Sequence, residues 1–136
     1  MSRILAIDYG GKRTGLAVTD PLQIIANALT TVETRILFPF LKDYFAKEQV
    51  EKVIVGEPVN WDETDTHATP LVRKFIKRFK REFPDIPIEG VDERYTSKMA
   101  VHAMIDMGMK KKDRRVKGNI DQIAATIILQ EYLGKI

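Results

Sequence analysis

The chain contains no cysteine. That absence excludes disulfides, thiolate zinc sites and cysteine nucleophiles together, leaving carboxylates and two histidines for acid, base or metal chemistry. His67 and His102 each stand alone, with no ligand partner at useful spacing, and neither takes a role. Long apolar runs are also missing. No stretch nears the roughly 20 residues of a membrane span, and the N-terminus passes straight into a strand pattern without a signal-peptide plan. A cytoplasmic protein without a membrane partner is the expectation. Low-complexity tracts and internal repeats are absent, and the one tryptophan, Trp61, reads as a packing residue in a loop.

What is present fits one domain spanning residues 1–136, long enough for a real core and too short for two. With 44% hydrophobic and 30% charged residues the composition is that of a globular protein, not a disordered one. The net charge of +3 says little, but its distribution says more. Arg73 to Arg81 carries six Lys or Arg, and Lys110 to Lys117 another six against Asp113 alone. Two basic blocks are what a phosphate backbone attracts. The first, on a helix face without interleaved aromatics, reads as a solubilising surface. The second, Lys110, Lys111, Lys112, Arg114, Arg115 and Lys117, is a dense loop and the better nucleic-acid contact.

Alternation and β-branched content predict strands at Arg3–Asp8, Thr14–Thr19 and Ile24–Val32, a meander joined by turns at Gly10-Gly11 and Asp20-Pro21. Ile36, Leu37, Phe40, Leu41, Tyr44 and Phe45 recur at helical spacing, and Lys52 to Gly56 reads as a short strand buried on both faces. Val72, Phe75, Ile76, Phe79 and Phe83 line a second helix that ends before Pro84. Ile86 to Val91 reads as a fifth strand, Thr96 to Met107 as a third helix, and Asn119 to Leu133 as a last helix. Asn119 and Gln122 would cap that helix and Gly134 would stop it. The order is that of an α/β fold with a five-stranded mixed sheet, antiparallel first and parallel where helices link the strands.

Sites in such sheets form at the carboxyl ends of the parallel strands. Asp8, Glu57 and Asp92-Glu93 end three strands there, and Asp121 opens the last helix. Carboxylates that converge repel one another unless a hard cation neutralises them. One or two such ions would serve phosphoryl transfer by activating a water and stabilising the leaving oxygen. Each acid also has an ordinary reading: Asp8 before Gly10-Gly11 as a turn residue, Asp121 as a helix-dipole partner, Glu57 as a loop acid before Pro58. Ala124 and Ala125 would let the last helix approach the sheet within carboxylate reach of Asp8. Lys12-Arg13 beside a metal site would hold a phosphate.

Four ordered stretches resemble the YqgF (RuvX) family: Asp8-Tyr9-Gly10-Gly11-Lys12-Arg13-Thr14-Gly15, Val55-Gly56-Glu57-Pro58-Val59-Asn60, Asp92-Glu93-Arg94-Tyr95-Thr96-Ser97 and Asp121-Gln122-Ile123-Ala124-Ala125-Thr126. The resemblance spans nearly the whole chain. It implies an RNase H-like fold related to the RuvC resolvases and a divalent-metal endonuclease, a phosphodiesterase using Mg2+ or Mn2+, that matures the 5′ end of pre-16S ribosomal RNA. Holliday junction resolution on DNA is the alternative. By position, Asp8, Glu93 and Asp121 would be the catalytic metal-binding acids; Lys12, Arg13 and Arg94 would face phosphates, and Asn60 would line the cleft. One residue departs from the family pattern. Glu57 stands where an apolar residue is usual, so it could replace or supplement Glu93, although Glu93 is favoured. Two other readings rank lower: an actin-like nucleotide-binding domain, for which 136 residues supply only half a cleft, and a non-catalytic RNA-binding module. Structured RNA or branched DNA is the expected partner, and a homodimer is what junction resolution would require.

Overall fold

The computed structural model describes residues 2–58, 69–93 and 117–134. Within them β1 (Arg3–Asp8), β2 (Arg13–Thr19) and β3 (Ala26–Glu33) lead through a 3-10 turn (Thr34–Ile36) into α1 (Leu37–Lys47). Then follow β4 (Val50–Pro58), α2 (Thr69–Glu82), β5 (Ile88–Glu93) and a helix designated α3 (Lys117–Tyr132). The five strands form one sheet in the order β3-β2-β1-β4-β5. β1 pairs antiparallel with β2 and parallel with β4, and β4 pairs parallel with β5. The mixed sheet expected from the sequence is therefore present, with β1 at its centre.

A central strand is covered on both faces, which is why Ile4, Leu5, Ala6 and Ile7 are all buried. Side chains alternate between those faces. Leu5, Ile7, Val53 and Val55 join Leu37, Leu41, Val72, Phe75 and Phe79 in the larger core under α1 and α2. Ile4, Ala6, Ala17 and Ile54 meet Ala125, Ile128 and Leu129 of α3 on the opposite face. Tyr9, one residue beyond β1, stacks on Phe75 with ring centroids 4.6 Å apart, tying the end of β1 to α2.

Several boundaries differ from the sequence expectation. β3 begins at Ala26, not Ile24, because the Asp20 carboxylate accepts hydrogen bonds from the backbone N–H groups of Leu22, Ile24 and Ile25 at 3.1, 2.8 and 2.7 Å, holding them in a turn. Gln23 in that turn takes a positive φ of 59°. β4 and β5 extend to Pro58 and Glu93, since their pairing continues through Glu57 with Asp92 and Pro58 with Glu93. Asn119 is not a cap: α3 starts two residues earlier, at Lys117. A glycine inside a helix costs about 1 kcal/mol. Burial of Ala124, Ala125, Ile128 and Leu129 outweighs that cost at Gly118. Gly134 follows α3 with a φ of 76°, as a stop should. The helix expected over 96–107 lies outside the described residues. Among the described residues, no helix is long and apolar enough to cross a membrane.

Candidate active site

Asp8 is the last residue of β1 and has the strand parity of Ile4 and Ala6, which places it on the α3 face. Its cross-strand neighbour on β2 is Gly15. A side chain at Gly15 would collide with α3: a Cβ built there stands 2.0 Å from the Asp121 carbonyl oxygen and 2.9 Å from the Asp121 Cβ. The missing side chain is therefore what allows α3 to lie directly on β2 and brings Asp121 beside Asp8. The sequence reading credited Ala124 and Ala125 with this approach. Both are buried, but the tightest contact is at Gly15, which the sequence marks as a glycine inside a strand pattern and as the end of the first family-like stretch.

Arg13, at the start of β2, shares that face and donates from Nε to Asp121 Oδ2 at 3.4 Å. Charge-assisted bonds of this kind are ordinarily about 2.7–2.9 Å. A long, single-pronged contact between partly exposed groups contributes on the order of 1 kcal/mol or less. Arg13 thus offsets negative charge at Asp121 and is free to exchange it for another anion. Lys12 is exposed at the tip of the β1–β2 turn. Together Gly11, Lys12, Arg13, Glu33 and Arg35 line a cavity of about 510 Å³, and Arg13 joins it to Asp121. Arg35 is the basic residue here that no sequence pattern singled out.

Strand parity sends Glu57 to the other face of the sheet. It follows Val53 and Val55 on the face covered by α2, and its carboxylate lies over Gly90, where a built Cβ would stand 2.4 Å from Glu57 Oε1. The sheet itself separates Glu57 from Asp121, so Glu57 does not join that pair. Position 93 has the parity of Val91, which packs against the α3-side core, and it ends β5 two strands from β1. Among the described residues no complete cage of three His, Asp or Glu forms. What the described structure brings together is Asp8, Asp121 and Arg13, with Lys12 next to them. Asn60, Arg94 and the loop residues Lys110, Lys111, Lys112, Arg114 and Arg115 lie outside the described residues, and Lys117 is placed at the start of α3.

A family model described as RuvX, Holliday junction resolvase, matches residues 2–135. This chain belongs to the RuvX family. It is 56% identical over 135 residues to a protein of Flavobacterium psychrophilum named "Putative pre-16S rRNA nuclease", covering 99% of this chain and 98% of that one. A protein of Christiangramia forsetii with the same name is 57% identical, with 98% of each chain covered. Two solved structures share the fold of this RuvX chain. A Fowlpox virus resolvase in complex with Holliday junction DNA matches with a TM-score of 0.60 at 15% identity, covering 97% of both chains. Thermus thermophilus RuvC with its Holliday junction substrate matches at 0.55 and 18% identity, covering 98% of this chain and 97% of that one. The RNase H-like architecture expected from the sequence is the one these proteins have, and a hydrolase of the nuclease class is what the family assignment makes of the chain.

Proposed function

We propose that this chain is a divalent-metal-dependent endonuclease that processes the 5′ end of pre-16S ribosomal RNA in the cytoplasm. The observation that carries this reading is the juxtaposition of Asp8 and Asp121 across Gly15, on the sheet face and at the sheet end that position 93 shares. The fit to a hard cation is chemical. Every candidate donor is a carboxylate oxygen, as Mg2+ or Mn2+ prefers. The pair already draws a cation toward it in the form of Arg13. Asp8, Asp121 and Glu93 would hold one or two ions, which when bound supply an activated nucleophile and stabilise the leaving oxygen.

The chain's own residues then divide the remaining work. Arg13 leaves Asp121 for a phosphate oxygen of the substrate, and Lys12 adds a second contact from the turn. The basic run from Lys110 to Lys117, with Arg94 and Asn60, extends the contact along the backbone without reading sequence. The family description, Holliday junction resolvase, favours a second reading, the resolution of four-way DNA junctions, for which a homodimer would supply the two sites.

The test is cleavage of a pre-16S ribosomal RNA fragment and of a four-way DNA junction by wild type and Asp8→Asn, in Mn2+ and in EDTA, with binding measured alongside. We expect metal-dependent cutting of the RNA that falls at least a hundredfold in the variant while binding persists. Binding by folded wild type without cutting in Mn2+ would sink the nuclease reading, and preferential cutting of the junction would exchange one substrate for the other.

A further inference from the structure

The cavity lined by Gly11, Lys12, Arg13, Glu33 and Arg35 shares Arg13 with the candidate acid Asp121 and reaches Glu33 at the end of β3, the edge strand of the sheet. Its walls are braced from within. Thr34 donates its backbone N–H to the Lys12 carbonyl at 3.0 Å and its hydroxyl to the Gly10 carbonyl at 2.6 Å. The hydroxyls of Thr34 and Thr14 lie 2.9 Å apart, within hydrogen-bond reach of each other. The 3-10 turn that carries Arg35 is thereby fixed to the β1–β2 turn that carries Lys12 and Arg13. Three cations from two separate segments consequently face one space, against one carboxylate.

That carboxylate is informative. Glu33 Oε2 accepts from Arg35 Nε at 2.5 Å, a position in which an oxyanion satisfies the guanidinium. Both side chains are well exposed, at 78% for Arg35 and 60% for Glu33, and an exposed pair of this kind exchanges readily. A phosphodiester oxygen offers the same charge and the same acceptor geometry. Cavities meant for an apolar ligand carry few charges; here Lys12, Arg13, Glu33 and Arg35 line the wall with Gly11.

We infer that this cavity is a phosphate-binding groove that carries one nucleic-acid strand from the candidate metal site toward the β3 edge, with Arg35 exchanging Glu33 for a backbone phosphate. The inference rests on the nuclease reading and adds a direction and a residue to it. Lys12 and Arg13 hold the phosphates next to the acids, and Arg35 holds the strand one step further out. Glu33 is a built-in competitor that disfavours short or weakly held strands.

The experiment measures dissociation constants in EDTA, so that cutting does not interfere, across a salt series for wild type, Arg35→Ala and Glu33→Gln. The probes are a structured RNA with a single-stranded 5′ extension and a four-way DNA junction. Arg35→Ala should bind several-fold more weakly and lower the slope of log K against log salt by about 0.7–0.9, the contribution of one phosphate contact. Glu33→Gln should bind more tightly than wild type. Opposite signs together with a slope lowered in Arg35→Ala and not in Glu33→Gln place a phosphate at the Arg35 guanidinium, since loss of a merely structural ion pair would shift both variants the same way. Wild-type affinity and slope in Arg35→Ala on both probes, or weakened binding in Glu33→Gln, overturns the groove while metal-dependent cutting by wild type leaves the nuclease reading standing. Wild type that binds neither probe overturns the groove, and the nuclease reading falls with it only if neither probe is cut in Mn2+. Effects confined to the RNA or to the junction identify which strand the groove takes.

Discussion

At Gly15 the chain gives up a side chain so that the backbone of α3 can rest on β2, and the two candidate acids meet because of it. The consequence can be tested at that one residue. In Gly15→Ala the added methyl would have to share space with the Asp121 carbonyl, which lies 2.0 Å from it, and backbone cannot swing aside as a long side chain can. Overpacking of this kind costs about 1–3 kcal/mol. We expect a folded protein whose thermal midpoint falls by several degrees and whose cleavage falls far more than its stability, because α3 and Asp121 move away from Asp8. A variant with wild-type midpoint and wild-type rate would show that the contact is not needed. The same residue illustrates what a sequence hides: Gly15 and Gly90 both sit in strands, yet one makes room for a helix and the other for the Glu57 side chain. Arg35 was illegible for a related reason. A lone arginine after a strand acquires meaning only when the fold sets it opposite Lys12 and Arg13.

Among the elements, the β2–β3 turn shows a side chain overriding strand propensity. Ile24 and Ile25 are apolar and read as the start of β3, but their N–H groups, with that of Leu22, point to Asp20, and all three side chains are more than half exposed. Those hydrogen bonds, first that from Ile25, hold the Asp20 carboxyl below its ordinary value of 3.8. The sign follows from linkage: a carboxyl lowered in the folded state contributes stability above pH 3.8, and that contribution disappears as pH falls through its folded value. Asp20→Asn should therefore be less stable than wild type at pH 7, and urea midpoints should converge as the pH is taken to 3. A gap that stays constant over that range would remove the charge from the explanation. Strand and helix cores were legible in the sequence because alternation and 3.6-residue spacing are written into Leu5, Ile7, Val53, Val55, Phe75 and Phe79. Boundaries and the side of the sheet taken by Glu57 were not, since strand parity acquires a side only once the helices have chosen theirs.

For the whole molecule, the sheet acts as a partition between two sets of charges. One face carries α1 and α2, whose exposed residues include Lys74, Lys77, Lys80 and Arg81; Arg78 sits over the Phe38 ring, 3.9 Å from its centroid, and pairs with Glu82. The other face carries α3 and, at its end, Asp8, Arg13 and Asp121. At physiological ionic strength exposed charges act over about 8 Å, and the sheet lies between the α2 cations and the acids, so those cations contribute little there. The net charge of +3 then says less about nucleic-acid affinity than the position of a few residues. The expected outcome distinguishes position from total charge. The double variant Lys77→Gln, Lys80→Gln removes two positive charges yet should keep the wild-type salt slope for RNA binding, whereas Lys12→Gln removes one and should lower that slope by about 0.7–0.9. If the double variant lost slope in proportion to its charge and Lys12→Gln did not, the strand would run over α2, and the basic helix face would be the interface in place of the β1–β2 turn.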